Sequence, residues 1–143
     1  MMTLYLDTSS LIKLFVEEPG GDEVRQDLSE AAAVATSLIA YAETRATLAR
    51  LRRTGSLTSH EFRLAKRDFE SDWSKYLVVE PSVELCRTAG ELGERYHLRG
   101  CDSIHLATFL DLAGKDRSDV RFSSFDRRLN GAASRALRAA RRF

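Results

Sequence analysis

With 143 residues, a net charge of +1, 43% hydrophobic and 30% charged content, the chain is long enough for one sizeable core and has the ordinary make-up of a soluble globular protein. Cys86 and Cys101 fit no CxxC or zinc spacing and read as two reduced thiols of a cytosolic protein. No cation precedes Lys13 as in a signal peptide, and the weakly polar run 31–42 contains Thr36 and Ser37 and is too short to span a bilayer, so a cytoplasmic location is expected.

Thr3 to Leu6 reads as a short apolar strand, and residues 9–16 have helical character that Pro19-Gly20-Gly21 breaks. A second short helix covers residues 22–32 and a strand 33–36, with Ser37 as N-cap of a strong helix over 38–54 that Gly55 ends. Thr58 and Glu61 have the spacing of a capping box for the next helix, which runs to about Lys75. Leu77-Val78-Val79 is a strand, and Pro81 begins a helix at about Val83 that Gly100 stops. Residues 102–113 form a helix, 120–123 a strand and 126–142 a final helix. Short strands separated by helices predict an α/β fold, a mostly parallel central sheet covered on both faces. Two consecutive helices over about residues 38–75 interrupt that rhythm as an arm folded back at Thr54-Gly55-Ser56. No repeat or linker appears, so residues 1–143 are expected to form a single domain.

Four acids stand among apolar or small neighbours: Asp7 after Leu4-Tyr5-Leu6, Glu43 after Ser37-Leu-Ile-Ala-Tyr-Ala, Asp102 before Ser-Ile-His-Leu-Ala, and Asp126 after Val120-Arg-Phe-Ser-Ser-Phe. Carboxylates are rarely buried unless paired or bound to a metal. Ligands of open α/β sheets bind beyond the carboxyl ends of the strands. Asp7 and Asp126 fall just past predicted strands, and Asp102 starts a helix of the kind that begins over that edge. Gathered together, the four would offer an oxygen-rich site to a hard cation such as Mg²⁺ or Mn²⁺. Taken singly, Asp7, Asp102 and Asp126 also suit turns or helix N-termini. Glu43 shares a helical stripe with Ile39, Ala46, Thr47 and Arg50, and could pair with an arginine.

Tyr5-Leu-Asp-Thr-Ser-Ser-Leu-Ile-Lys-Leu-Phe resembles the opening of the PIN-domain ribonucleases, above all the VapC-type toxins of bacterial toxin–antitoxin pairs. Tyr41-Ala-Glu-Thr-Arg-Ala, Cys101-Asp-Ser-Ile-His-Leu-Ala-Thr and Ser124-Phe-Asp-Arg-Arg-Leu resemble the later motifs in the same order, so the resemblance runs from residue 4 to about residue 133. It implies a PIN-like three-layer α/β/α fold and a Mg²⁺- or Mn²⁺-dependent endoribonuclease acting on a structured RNA loop. It also implies a VapB-like antitoxin partner and a homodimer. Asp7, Glu43, Asp102 and Asp126 would be the acidic tetrad, with Ser9 and Ser124 at the supporting hydroxyl positions. Asn130 stands where some relatives carry a further acid.

The chemistry agrees. Phosphodiester hydrolysis needs a nucleophilic water and neutralisation of phosphate charge, both of which a bound Mg²⁺ supplies. Asp7 and Asp102 are expected as direct ligands and Glu43 and Asp126 as residues acting through water. The basic segments 45–67 and 117–143 offer arginines for backbone phosphates, or simply solvated helix faces. His105 can share a helix face with Asp102 and reads as a packing residue with a polar tip at the rim. Phe69, Trp73 and Tyr76 read as core or dimer contacts, and His60 and His97 show no partner pattern. Two other classes stay open: a haloacid-dehalogenase-like phosphatase, which would want a second Asp where Ser9 stands, and a PIN-like binding module without activity.

Overall fold

The computed structural model describes residues 1–115 and 119–140. Four parallel strands, β1 (Met2–Leu6), β2 (Ala33–Ser37), β3 (Leu77–Val79) and β4 (Asp119–Ser123), lie in the order β3-β2-β1-β4. Around them pack α1 (Thr8–Leu11), α2 (Gly21–Glu30), α3 (Ile39–Arg53), α4 (Ser59–Trp73), α5 (Val83–Tyr96), α6 (Gly100–Lys115) and α7 (Arg127–Ala140). This is the expected three-layer α/β/α arrangement.

Alternation along β1 creates the layers, because successive side chains of a strand point to opposite faces. Met2, Leu4 and Leu6 pack with Leu11, Val24, Ala40 and Phe69 on one face. Tyr5 packs with Ala35, Leu106, Phe109, Leu129, Ala132 and Ala133 on the other. Phe69 is fully buried, with Trp73 and Tyr76 packed against its cluster, so the core reading of these aromatics holds. Helices α3 and α4 fold back on one another as an arm. Tyr41 and Arg45 of α3 both bond Glu70 of α4 at 2.6 Å, and Ile12, Val16, Leu48 and Ala65 fill a small core beneath.

Several boundaries differ from expectation. The helix after Asp7 is only α1, continued by one tighter turn over Ile12–Leu14. Ser37 ends β2 and does not occupy the cap position of α3, although its hydroxyl still accepts from Ile39 N at 3.3 Å. Gly100 opens α6, whereas α5 stops at Tyr96 because His97 turns into the left-handed region at φ 57°. The Thr58–Glu61 capping box is formed, with bonds of 3.1 and 2.9 Å. Arg141 and Arg142, expected in the last helix, lie outside the described residues. Among the described residues, no helix is long and apolar enough to cross a membrane.

Register places the site. Leu6 pairs with Ser123, and Asp7 N donates to Ser123 O at 3.1 Å, so the first and last motifs leave the sheet side by side at its carboxyl edge.

Candidate active site

Asp7 is the hub, only 3% exposed. Its Oδ1 accepts from Ser10 N at 3.0 Å, capping α1, and from Ser9 Oγ at 2.7 Å. Its Oδ2 accepts from Ser124 Oγ at 2.6 Å. Asp7 thus caps α1 with one oxygen and is tied to the last motif with the other. Burial pushes the carboxyl above its ordinary range, while hydrogen bonds from Ser124 and Ser9 and the nearby His105 pull the other way. The two serines also bind the last motif: Phe125 N donates to Ser9 Oγ at 2.9 Å and Asp126 N to Ser124 Oγ at 3.0 Å.

Asp102 stands in the first turn of α6, where the helix dipole favours a carboxylate. Its carboxyl is nevertheless raised, first by burial and then by the negative charge of Asp126, with Asp7 adding to it and Arg99 opposing from 3.8 Å. Asp126 caps α7 through a 2.9 Å bond from Leu129 N. Asp102 and Asp126 share a cleft of about 330 Å³ with His97, Arg99 and Arg128. Asn130 donates to Ser124 O at 2.8 Å and so braces the loop that carries Ser124 and Asp126.

Glu43 reaches the same region from α3, and its partner is not Arg50. Oε1 accepts from Thr8 Oγ1 at 2.6 Å and from His105 Nε2 at 3.0 Å. Burial alone would raise its carboxyl, but the bonds from His105 and Thr8 prevail and hold it below the usual range. His105 was expected at the rim. It is instead 1% exposed, between Glu43 and the hydroxyl of Tyr5, 2.8 Å from Nδ1. Its polar tip is enclosed because Tyr5 of β1, Thr8 of α1 and Glu43 of α3 all reach the ring. Thr8 lies inside the opening motif, but nothing local marks its hydroxyl as aimed at a residue 35 positions away.

The PIN-domain family model matches residues 4–134. The chain belongs to the PIN-domain family. Ribonuclease VapC45 of Mycobacterium tuberculosis (strain CDC 1551 / Oshkosh) is 33% identical over 136 residues, covering 95% of this chain and 92% of the relative. Among solved structures, M. tuberculosis VapC20, titled a Sarcin-Ricin loop cleaving toxin, superposes with a TM-score of 0.66 at 17% identity, covering 90% of this chain and 94% of that one. A toxin–antitoxin complex from Klebsiella pneumoniae gives 0.57 at 23% identity over 82% of each chain.

The four acids of this PIN domain thus converge on one edge of the sheet as two linked sets. Asp102 stands close enough to Asp126 and Asp7 to feel their negative charge, and Glu43 is bonded to His105 and Thr8. Among the described residues no three His, Cys, Asp or Glu side chains lie close enough to hold a metal ion as they stand. The acids nevertheless offer only oxygen donors, and Asp102 is raised first by burial and then by the negative charge of Asp126, a repulsion that a hard cation would relieve. Mg²⁺ keeps several of its waters and binds through few carboxylates, so wide spacing suits a hydrated ion.

Proposed function

We propose that this PIN domain is the toxin of a type II toxin–antitoxin pair, an endoribonuclease that hydrolyses phosphodiester bonds in a structured RNA loop. The whole chain acts as one nuclease domain in the cytoplasm. The observation that carries this reading is the cleft that Asp102 and Asp126 share with Arg99 and Arg128, with Asp7 joined to Asp126 through the Ser124 hydroxyl. Mg²⁺ or Mn²⁺ is the cofactor, supplying an activated water and neutralising phosphate charge. Asp7 and Asp102 would hold it directly and Glu43 and Asp126 would act through water, while Ser9 and Ser124 fix Asp7 by hydrogen bonds. Arg99 and Arg128 bind backbone phosphates. The haloacid-dehalogenase alternative is disfavoured because Ser9 donates to Asp7 and carries no acid for proton transfer. The name of the K. pneumoniae neighbour and the similarity to VapC45 support an antitoxin partner, which would lie along the arm of residues 38–75, and a homodimer is proposed with it.

The test is sequencing of RNA ends after brief expression of the chain and of Asp7→Asn, with cleavage of the mapped RNA repeated in Mg²⁺, Mn²⁺ and EDTA. New ends that need both Asp7 and the divalent ion are expected. Identical ends with both proteins, or full activity in EDTA, would overturn the reading and leave a binding module without activity.

A further inference from the structure

A buried imidazole must satisfy both nitrogens, and the partners of His105 fix how it does so. Oε1 of Glu43 already accepts from Thr8 at 2.6 Å and lies 3.0 Å from Nε2, so Nε2 is the nitrogen that carries the hydrogen and donates to it. With Nε2 as the donor, Nδ1 takes the other partner, the hydroxyl of Tyr5 at 2.8 Å. Tyr5 is itself immobile. It is fully buried on β1, its ring stacked at 5.8 Å on Phe122 and tilted at 6.3 Å against Phe109. Thr8 completes the set. Its proton goes to Glu43 Oε1 at 2.6 Å, and its oxygen lies 3.3 Å from Nε2.

Glu43 is the residue that needs such help. It sits half-buried on α3, an element belonging to the arm, while the other three acids follow strands or open helices of the main body. A glutamate has three rotatable bonds, and freezing them costs conformational entropy that a rigid anchor pays in advance. Both hydrogen bonds from Thr8 and His105 end on the same oxygen, which fixes the carboxylate in direction as well as position.

We infer that His105, backed by Tyr5 and flanked by Thr8, is a positioning residue that sets how Glu43 presents its carboxylate to the acid cluster. This rests on the nuclease reading above. Groups behind a ligating or water-orienting residue typically matter by about 10- to 100-fold in metal affinity or activity.

Glutamine and asparagine at position 105 separate positioning from packing. The amide nitrogen of glutamine reaches where Nε2 stood and can donate to Glu43; that of asparagine stops near Nδ1 and cannot. Mn²⁺ affinity by calorimetry, and kcat and KM on an RNA that the wild type cleaves, are measured for both variants and for Thr8→Val. His105→Gln should stay within about 3-fold of wild type in all three quantities. His105→Asn should bind Mn²⁺ about 10-fold more weakly and lose about 10- to 100-fold in kcat at unchanged KM, with Thr8→Val showing the same pattern more weakly. Equal behaviour of the Gln and Asn variants, whether both active or both impaired, would overturn the inference. If His105→Asn does not fold, Tyr5→Phe takes its place: a lower kcat at native stability supports the chain of bonds, and wild-type values overturn it. A wild type that binds Mn²⁺ but cuts no RNA would end the nuclease reading, while the Mn²⁺ affinities would still decide the role of His105.

Discussion

Ser124 donates its hydroxyl proton to Asp7 Oδ2 across 2.6 Å, joining residues 117 positions apart. Ser124 Oγ in turn accepts from Asp126 N at 3.0 Å, so one hydroxyl couples Asp7 to Asp126. The pairing of Leu6 with Ser123 makes this possible, since it brings the two loops off the sheet together. A hydrogen bond to a buried carboxyl contributes about 1–3 kcal/mol, because losing it leaves the acceptor both desolvated and unpaired. Ser124→Ala should lower stability by that amount in urea unfolding and depress RNA cleavage, and Ser124→Thr should retain both. An alanine variant as stable and as active as the wild type would show that the link is dispensable.

Asp102 and Asp126 should respond differently to neutralisation. Asp102 is raised by burial and by neighbouring negative charge, so the metal-free protein is strained there. Asp102→Asn should raise the melting temperature in EDTA while abolishing cleavage, the usual trade between activity and stability. Asp126 caps α7, and asparagine caps nearly as well, so Asp126→Asn should leave the EDTA melting temperature close to wild type. Mn²⁺ should stabilise the wild type by about 2.7 kcal/mol at 100 times its Kd, and Asp102→Asn by less. Equal Mn²⁺ shifts, with a lower EDTA melting temperature for Asp102→Asn, would make Asp102 structural.

The pH dependence of that difference has a definite sign. A carboxyl raised above its ordinary value of 3.8 on folding keeps its proton more tightly in the native state. Its contribution to stability is therefore full below 3.8 and is lost as pH climbs through the folded value. The stability gap between Asp102→Asn and wild type, measured in EDTA, should be widest near pH 7 and shrink as pH falls toward about 4. Glu43 acts oppositely, being lowered from 4.5: its contribution is present above that value and is lost as pH falls through the folded one. Since Glu43 is common to both proteins, it cancels in the difference. A gap independent of pH would mean that the charge on Asp102 costs the fold nothing.

Three of the four acids were legible because their signals are local. Asp7 and Asp126 follow apolar strands and precede helices, and a residue between a strand and a helix on this topology must lie at the carboxyl edge. Their double use as caps and cluster members also shows why the bland reading and the functional one could not be separated by sequence alone. The surroundings of Glu43 were not legible, since its His105 partner is 62 positions away on α6 and only tertiary packing brings the two side chains together. The misplaced stop at Gly100 has a local cause. Glycine ends helices often, but here His97 took the left-handed turn first, and Gly100 was free to begin the next helix.

Gly20 and Phe125 carry the last prediction. Gly20 holds φ at +95°, and a Cβ there would come within 2.5 Å of the Phe125 ring. That ring is 41% exposed between Ser124 and Asp126, with Lys13 Nζ 4.6 Å from its centroid and the Phe125 backbone bonded to Ser9. Gly20→Ala therefore does two things. It places alanine in a left-handed conformation, costing about 1–2 kcal/mol, and it pushes the ring and the loop that carries two site residues. Only the first effect should survive once the ring is gone. A double-mutant cycle should show Gly20→Ala costing less stability in a Phe125→Ala background than alone, with a coupling of about 1 kcal/mol, and the accompanying loss of kcat should shrink likewise. Strictly additive stabilities, with the same loss of kcat in both backgrounds, would mean that the ring yields freely and that Gly20 serves only the backbone turn into α2.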